Sequence, residues 1–137
     1  MVFQYQILPH PADVKLQITA STKEELFQGA LKGMASIIQP QIPPKAPLVK
    51  ENIEIQSLDL NALLVDFLNE VLAKTDITQV VFNKLKIRKL TDNYLQAEIE
   101  GQKSDYFDQE IKAVTHHGLE IKQNKNGHYQ VTILFDI

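Results

Sequence analysis

The stretch DVKLQITASTKEELFQGALKGMASII, residues 13–38, changes its hydrophobic period partway along. From Val14 to Ile18 apolar and polar residues alternate, which is typical of a half-buried β-strand. From Leu26 to Ile38 the apolar residues recur at helical spacing, so we predict a helix that runs to about Gln39. A strand therefore leads directly into a helix.

Two overlapping capping boxes mark the start of this helix. They are Ser21-x-x-Glu24 and Thr22-x-x-Glu25, in which hydroxyl and carboxyl side chains bond the first free N–H groups of a helix. Phe27 and Met34 fall on its apolar face and are predicted to be core residues. A second helix, capped by Ser57 or Asp59, is predicted from about Leu60 to Leu72. Its polar side carries Asp66, Asn69 and Glu70, which could serve as ligands; the favoured interpretation is a solvated face.

The remaining apolar segments read as strands. Residues 40–47, PQIPPKAP, carry four of the six prolines and are predicted to be a linker. Asn124-Lys-Asn-Gly127 favours a hairpin between the last two strands. The predicted fold is α+β, with two helices packed on a largely antiparallel sheet in a single domain of residues 1–137. The strands are expected near 3–7, 14–18, 49–55, 80–87, 94–99, 111–115, 119–121 and 129–135.

Composition limits the classes of function. With 44% hydrophobic and 23% charged residues, the 137-residue chain has the composition of an ordinary globular domain. It contains no cysteine, which excludes zinc-thiolate sites and cysteine nucleophiles. We find neither a signal peptide nor the roughly 20 apolar residues of a membrane span, so a cytoplasmic protein is expected. The net charge of −3 argues against broad capture of nucleic acid.

Four cations cluster on one predicted strand, at Lys84, Lys86, Arg88 and Lys89. The favoured interpretation is a strand edge that charge protects against aggregation. The alternative is a contact patch for an acidic or RNA-bearing partner.

The stretch KAVTHHGL, residues 112–119, places a lysine and two histidines in a predicted strand. On a strand, Lys112 and His116 would share one face and His117 would point to the other. The two histidines could then form a metal pair only with a bulge, which Gly118 could supply. Taken alone, the stretch identifies no site.

Carboxylates mark the two ends of the sequence. Asp13 follows a loop that contains His10, and loop residues mounted on a strand often carry function. Asp136 is the penultimate residue, and Ile137 supplies a terminal carboxylate beside it. Paired anionic oxygens suit a hard cation such as Ca²⁺ or Mg²⁺, and without one they would repel each other.

Together these stretches resemble the archease family over the full length of the chain. Two departures from the family pattern are Pro11, where threonine is usual, and His116, where an aromatic residue is usual. The motifs that carry the resemblance are Tyr5-x-x-x-x-His10-Pro-Ala-Asp13-Val14, Phe67-Leu68-Asn69-Glu70, Lys112-Ala-Val-Thr115 with His117-Gly-Leu119, and Asp136-Ile137.

The resemblance implies a fold, a partner and a site. The fold would be a strand-helix-strand-strand module with an inserted unit at approximately residues 40–75. The protein would be no enzyme; it would activate a tRNA-splicing RNA ligase that joins 3′-phosphate and 5′-hydroxyl ends, and it would meet RNA only indirectly. A divalent cation, commonly Ca²⁺, would be held by Asp13, Asp136 and Ile137. Lys112 would be needed for activity, with His10 and His117 as possible supporting residues.

Two other classes of function are weighed against this hypothesis. One is a metal-dependent hydrolase of a small phosphorylated substrate that uses Asp13, Asp136 and His10, although the sequence lacks an HExxH motif or a P-loop. The other is a stand-alone chaperone or RNA-binding module, against which the low basicity and the 7% aromatic content count.

Overall fold

The computed structural model of the protein describes residues 3–9, 13–38 and 40–137. Within these ranges the chain forms eight strands and two helices. They are β1 (Phe3–Pro9), β2 (Asp13–Ala20), α1 (Lys23–Ile38), β3 (Leu48–Gln56), α2 (Leu60–Thr78), β4 (Val80–Leu90), β5 (Tyr94–Lys103), β6 (Ala113–Thr115), β7 (Lys122–Gln123) and β8 (Tyr129–Asp136).

The first sheet joins the beginning and the end of the chain. Its strand order is β1-β2-β8-β6, with β7 also paired to β8, and all of its pairings are antiparallel. The pairing of β2 with β8 places Ala20 opposite Tyr129 at one end and Asp13 opposite Asp136 at the other. The predicted hairpin is confirmed, with Gly127 at a φ of 80° in the turn before β8.

The second sheet has the strand order β3-β5-β4 and is also antiparallel. The predicted α+β class is therefore confirmed, but the strands form two sheets where one was expected. The unit predicted at residues 40–75 contains β3 and most of α2. Because β3 pairs with β5 along its whole length, the sheet that begins in this unit continues to Lys103.

Both helices begin where the sequence indicates. The Thr22 hydroxyl accepts from the Glu25 N–H at 3.1 Å, which confirms the hydroxyl half of the predicted Thr22–Glu25 capping box. The Glu25 carboxylate accepts from the Thr22 hydroxyl at 2.9 Å. Asp59 caps α2 by accepting from the Ala62 N–H at 2.8 Å. Across the described ranges, neither helix is both long and apolar enough to cross a bilayer.

The core lies between the two sheets and the two helices. The Phe27 ring of α1 and the Phe67 ring of α2 are fully buried, with centroids 5.7 Å apart. Burial of each such side chain contributes roughly 1.5–3 kcal/mol. Met34 is also buried, so both predicted core residues of α1 are confirmed.

The strand predicted at residues 111–115 is shorter than expected, and the one at 119–121 is absent. Strand β6 ends at Thr115, and the chain turns at Gly118, whose φ is 66°. The Leu119 N–H donates to the His116 carbonyl at 3.2 Å across this turn. The two histidines therefore do not lie on opposite faces of a strand, because glycine's access to a positive φ ends the extended backbone here.

Gly101 permits a close approach between β5 and β4. A Cβ at this position would overlap the Val81 carbonyl oxygen and lie 2.7 Å from the Phe82 Cα. Strand β4 shifts its register immediately after Phe82, so the glycine sits opposite an irregularity of the sheet.

We expect Gly101→Ala to lower the free energy of unfolding by about 3 kcal/mol, because main-chain atoms of β4 must move to admit the methyl group. Urea unfolding measures the loss. Gly33→Ala is the matched control: its Cβ meets the Leu16 methyl carbons at 2.6 and 2.8 Å, which are side-chain ends that can shift. The helix also gains about 1 kcal/mol when alanine replaces glycine. Equal losses in the two variants would contradict this assignment of the strain.

Candidate functional site

Asp13 and Asp136 face each other at the end of the first sheet. They are register partners at the end of the β2–β8 pairing. Side chains directly opposite in an antiparallel pair have Cβ atoms roughly 4.5–5.5 Å apart on the same face. Asp13 is half-buried and Asp136 is exposed. The resemblance implied that these two residues meet, and the register places them opposite each other. We call the two the acidic pair.

The acidic pair lies on the outer face of the first sheet, away from α1. Along β2 and β8 the buried side chains alternate with more exposed ones, and both aspartates belong to the exposed series. The same series includes Lys15, which lies two residues along β2 from Asp13. Lys15 was not singled out from the sequence, although its period-two spacing from Asp13 already placed it on this face.

Lys112 reaches the same end of the sheet from the other side. Its main-chain N–H donates to the Asp136 carbonyl oxygen at 2.7 Å, and the next residue, Ala113, is the register partner of Asp136. The Lys112 side chain is exposed. The acidic pair is therefore flanked by the backbone of one lysine residue and by a second lysine on its own face.

The electrostatics of the acidic pair favour a nearby positive charge. At about 5 Å and an effective dielectric constant of about 20, two unit charges repel by roughly 3 kcal/mol. Solvent around the exposed Asp136 reduces this cost. Lys15, Lys112 or a bound cation would each offset it.

Asn69 of α2 fixes the short strand that follows Lys112. Its side-chain amide donates to the Val114 carbonyl at 2.9 Å, and its side-chain oxygen accepts from the Val114 N–H at 2.9 Å. Both main-chain groups of Val114 are thus bonded by one side chain. Because β6 has only three residues, this pair of hydrogen bonds is a large share of what holds the strand in place.

Two more residues of α2 contact the segment after β6. The Asn61 side chain accepts from the Ile121 N–H at 2.9 Å. Asp66 accepts from the Ser57 hydroxyl at 2.6 Å and lies 3.7 Å from the His116 ring. The interpretation of this face as merely solvated is therefore wrong for Asp66 and Asn69. Their spacing looked like that of any polar helix face, and only the tertiary structure shows what they contact.

The other predicted site residues are less closely tied to the acidic pair. His117 lies exposed in the turn, where its main-chain N–H donates to the Thr115 hydroxyl at 3.1 Å. Ile137 is half-buried and packs against the core, which anchors the end of β8. His10 lies outside the described residues. The supporting roles of His10 and His117 stay predictions.

The donor atoms at this end of the sheet suit a hard cation. Carboxylate and main-chain oxygens are the ligands that Ca²⁺ prefers. The acidic pair and an oxygen of Ile137 would be such donors. Among the residues that the structure describes, no three side chains of histidine, cysteine, aspartate or glutamate cluster as a metal site. From the described residues, main-chain or terminal oxygens are the further donors that a site here would add to the two aspartates.

Comparison with known proteins gives one consistent result. The family model of the Archease protein family matches residues 5–137. The archease of Methanosarcina barkeri is 34% identical over 142 residues, covering 98% of this chain and 96% of that protein.

Two solved structures share the fold. One is the solution structure of Methanobacterium thermoautotrophicum protein 1598, with a TM-score of 0.75, 24% identity and coverage of 97% of this chain and 98% of that one. The other is the crystal structure of a Thermotoga maritima archease described as a possible chaperone, with a TM-score of 0.66, 17% identity and coverage of 98% of both chains.

Replacing Asn69 with alanine is expected to destabilise the protein by about 2–3 kcal/mol, because both main-chain groups of Val114 lose a partner. Amide hydrogen exchange should show a much faster rate at Val114. Asn69→Asp keeps the acceptor for the Val114 N–H but sets an oxygen against the Val114 carbonyl, so it should restore only part of the protection. Asn52→Ala, at an exposed position of β3, is the control. Unchanged exchange at Val114 in Asn69→Ala would show that β6 does not depend on this side chain.

Proposed function

Because this chain belongs to the archease family, we propose that it activates a tRNA-splicing RNA ligase of the type that joins 3′-phosphate and 5′-hydroxyl ends in the cytoplasm. In this proposal the protein promotes guanylylation of the ligase's catalytic histidine and supports multiple turnover, in tRNA splicing and RNA repair. In this proposal the chain acts on the ligase as a protein cofactor and is not itself an enzyme.

The observation that carries the proposal is the acidic pair on an open sheet face. Within the described residues neither helix covers the outer face of the first sheet, whose end presents Asp13 and Asp136. Lys15 lies two residues along β2 from Asp13, and the main chain of Lys112 is bonded to Asp136. A polar group of this kind on a rigid sheet is suited to contact another protein, because strands hold side chains more precisely than loops do. We infer that the ligase docks over this end of the sheet.

A divalent cation, for which we propose Ca²⁺, would be held by the two aspartates and an oxygen of Ile137. When bound, it would supply positive charge that neutralises the carboxylates and attracts phosphate oxygens. The protein's own residues would do the positioning: the β2–β8 register sets the two carboxylates opposite each other, and the core contacts of Ile137 keep the end of β8 in place.

Lys112 is proposed to act directly on the ligase complex. Its exposed ammonium group can approach the nucleotide phosphates or an acidic group of the partner, and lysine is a common phosphate-binding residue. The bond from its main-chain N–H to Asp136 and the anchoring of β6 by Asn69 fix the base of this side chain.

The ligase proposal predicts that Asp13→Asn and Lys112→Met each reduce stimulation of ligase guanylylation by roughly tenfold or more, while the fold stays intact. The measurement is transfer of labelled GMP to the ligase, with and without this protein, under multiple-turnover conditions. Asp105→Asn makes the same change of charge at an exposed position outside the acidic pair and should stimulate fully. If Asp13→Asn stimulated as well as the wild type, the acidic pair would not be the site.

The metal proposal predicts that Ca²⁺ at about 100 times its dissociation constant raises the free energy of unfolding by about 2.7 kcal/mol relative to protein in EDTA. Asp136→Asn should remove most of this shift, because it replaces a carboxylate ligand with a weaker neutral one. Urea unfolding with and without Ca²⁺ tests this, again with Asp105→Asn as the control. A shift of the same size in Asp136→Asn would place the cation elsewhere.

A further inference from the structure

A groove lined by four lysines lies where β1 and α1 meet the second sheet. Its volume is about 440 Å³, and we call it the lysine groove. Its lysines are Lys32 of α1, Lys50 of β3, and Lys84 and Lys86 of β4. Phe3 also lines it and pairs with Ala20, at the other end of β2 from Asp13. Seven residues of strand separate these ends by about 23 Å, so the groove is distinct from the acidic pair.

The charges of the lysine groove are only partly compensated. Glu100 is shared by Lys50 at 3.8 Å and Lys84 at 3.6 Å, and Glu98 is 3.5 Å from Arg88. Lys32 and Lys86 form no ion pair with any described residue. Four lysines against the two carboxylates of Glu98 and Glu100 leave the groove a local charge of +2, in a chain whose total is −3.

The surface beside the lysine groove is aromatic. The ring of Tyr5 stacks on that of Phe3, with centroids 6.4 Å apart and an interplanar angle of 26°. Tyr5 is 37% exposed. A second hollow of about 470 Å³ runs past Phe3 and Tyr5 toward Gln17 and Thr19 of β2. The two hollows meet at Phe3, so a chain lying in them would pass from the lysines onto the two rings.

We propose that the lysine groove and the Phe3–Tyr5 pair bind a single-stranded nucleic acid. Its phosphates would lie against the four lysines and its bases against the two rings, the combination that sequence-tolerant single-strand binding uses. The net charge of the whole chain argued against such binding at the level of the sequence. That total hides the local concentration of lysines, which only the fold brings together.

A nucleic acid explains more of this surface than an acidic polypeptide does. Glutamate and aspartate side chains could pair with the lysines but would leave the exposed Tyr5 ring without a role. A duplex keeps its bases stacked inside, so it would also leave the rings unused. Binding here needs no ligase and can be measured on this protein alone.

The test is fluorescence anisotropy with a labelled oligouridine of roughly 12 nucleotides at low salt. The groove variant Lys32→Gln/Lys86→Gln removes the two lysines that form no ion pair. We expect it to bind about tenfold more weakly, and its salt dependence should fall by about 1.4 in log–log slope, as loss of two phosphate contacts on a single strand predicts. The control Lys45→Gln/Lys125→Gln makes the same charge change at two exposed lysines outside the groove and should bind within about twofold of the wild type.

A second comparison addresses the rings. Tyr5→Ala should weaken binding of oligouridine about tenfold, since loss of a base-stacking ring has effects of this size, while leaving binding of inorganic polyphosphate unchanged. A matched oligodeoxythymidine arm distinguishes RNA from DNA as the ligand. The proposal is wrong if the wild type fails to bind the oligouridine, if groove and control variants lose affinity equally, or if labelled polyglutamate binds as tightly with the same dependence on the groove.

Discussion

The pairing of β2 with β8 is the interaction on which the rest of the structure depends. It joins the amino-terminal and carboxyl-terminal segments into one sheet, whose inner face carries Leu16, Ile18, Ile133 and Phe135 into the core. Because side chains alternate with a period of two, a slip of one residue would expose this apolar set and turn the acidic pair toward the core. Burial of the inner face therefore fixes the register, and the register fixes the site.

The second helix has two separate jobs. Its apolar side, with Phe67 among others, forms the core that joins the two sheets. Its polar side anchors the segment that carries Lys112 by hydrogen bonds: the Asn69 side chain bonds the main chain of Val114, and the Asn61 side chain bonds the main chain of Ile121. The helix thus couples the core to a segment with little regular structure of its own, so the position of Lys112 follows from the packing of α2.

Features set by local chemistry could be predicted from the sequence, and features set by distant contacts could not. The helix caps at Thr22 and Asp59, the hairpin turn and the alternation of the strands around the acidic pair each depend on neighbouring residues, and the structure contains them. The division into two sheets depends on which strands pair, which periodicity does not specify. The prediction of a solvated face on α2 was wrong for a similar reason. A polar side chain that bonds a distant strand has the same sequence spacing as one that faces water. The turn at Gly118 could have been predicted from the glycine itself, because a glycine in a strand pattern can indicate the end of the strand as well as a β-bulge.

The two hydrogen bonds between the Asn69 side chain and the main chain of Val114 affect how the first sheet ends. An edge strand normally offers a row of free amide and carbonyl groups onto which another molecule can add a strand, and this is a route to aggregation. At β6 the side chain of Asn69 occupies one donor and one acceptor of that edge, as a further strand would. The Asn69 carboxamide therefore blocks the addition of another strand to β6, at the edge of the sheet nearest the acidic pair.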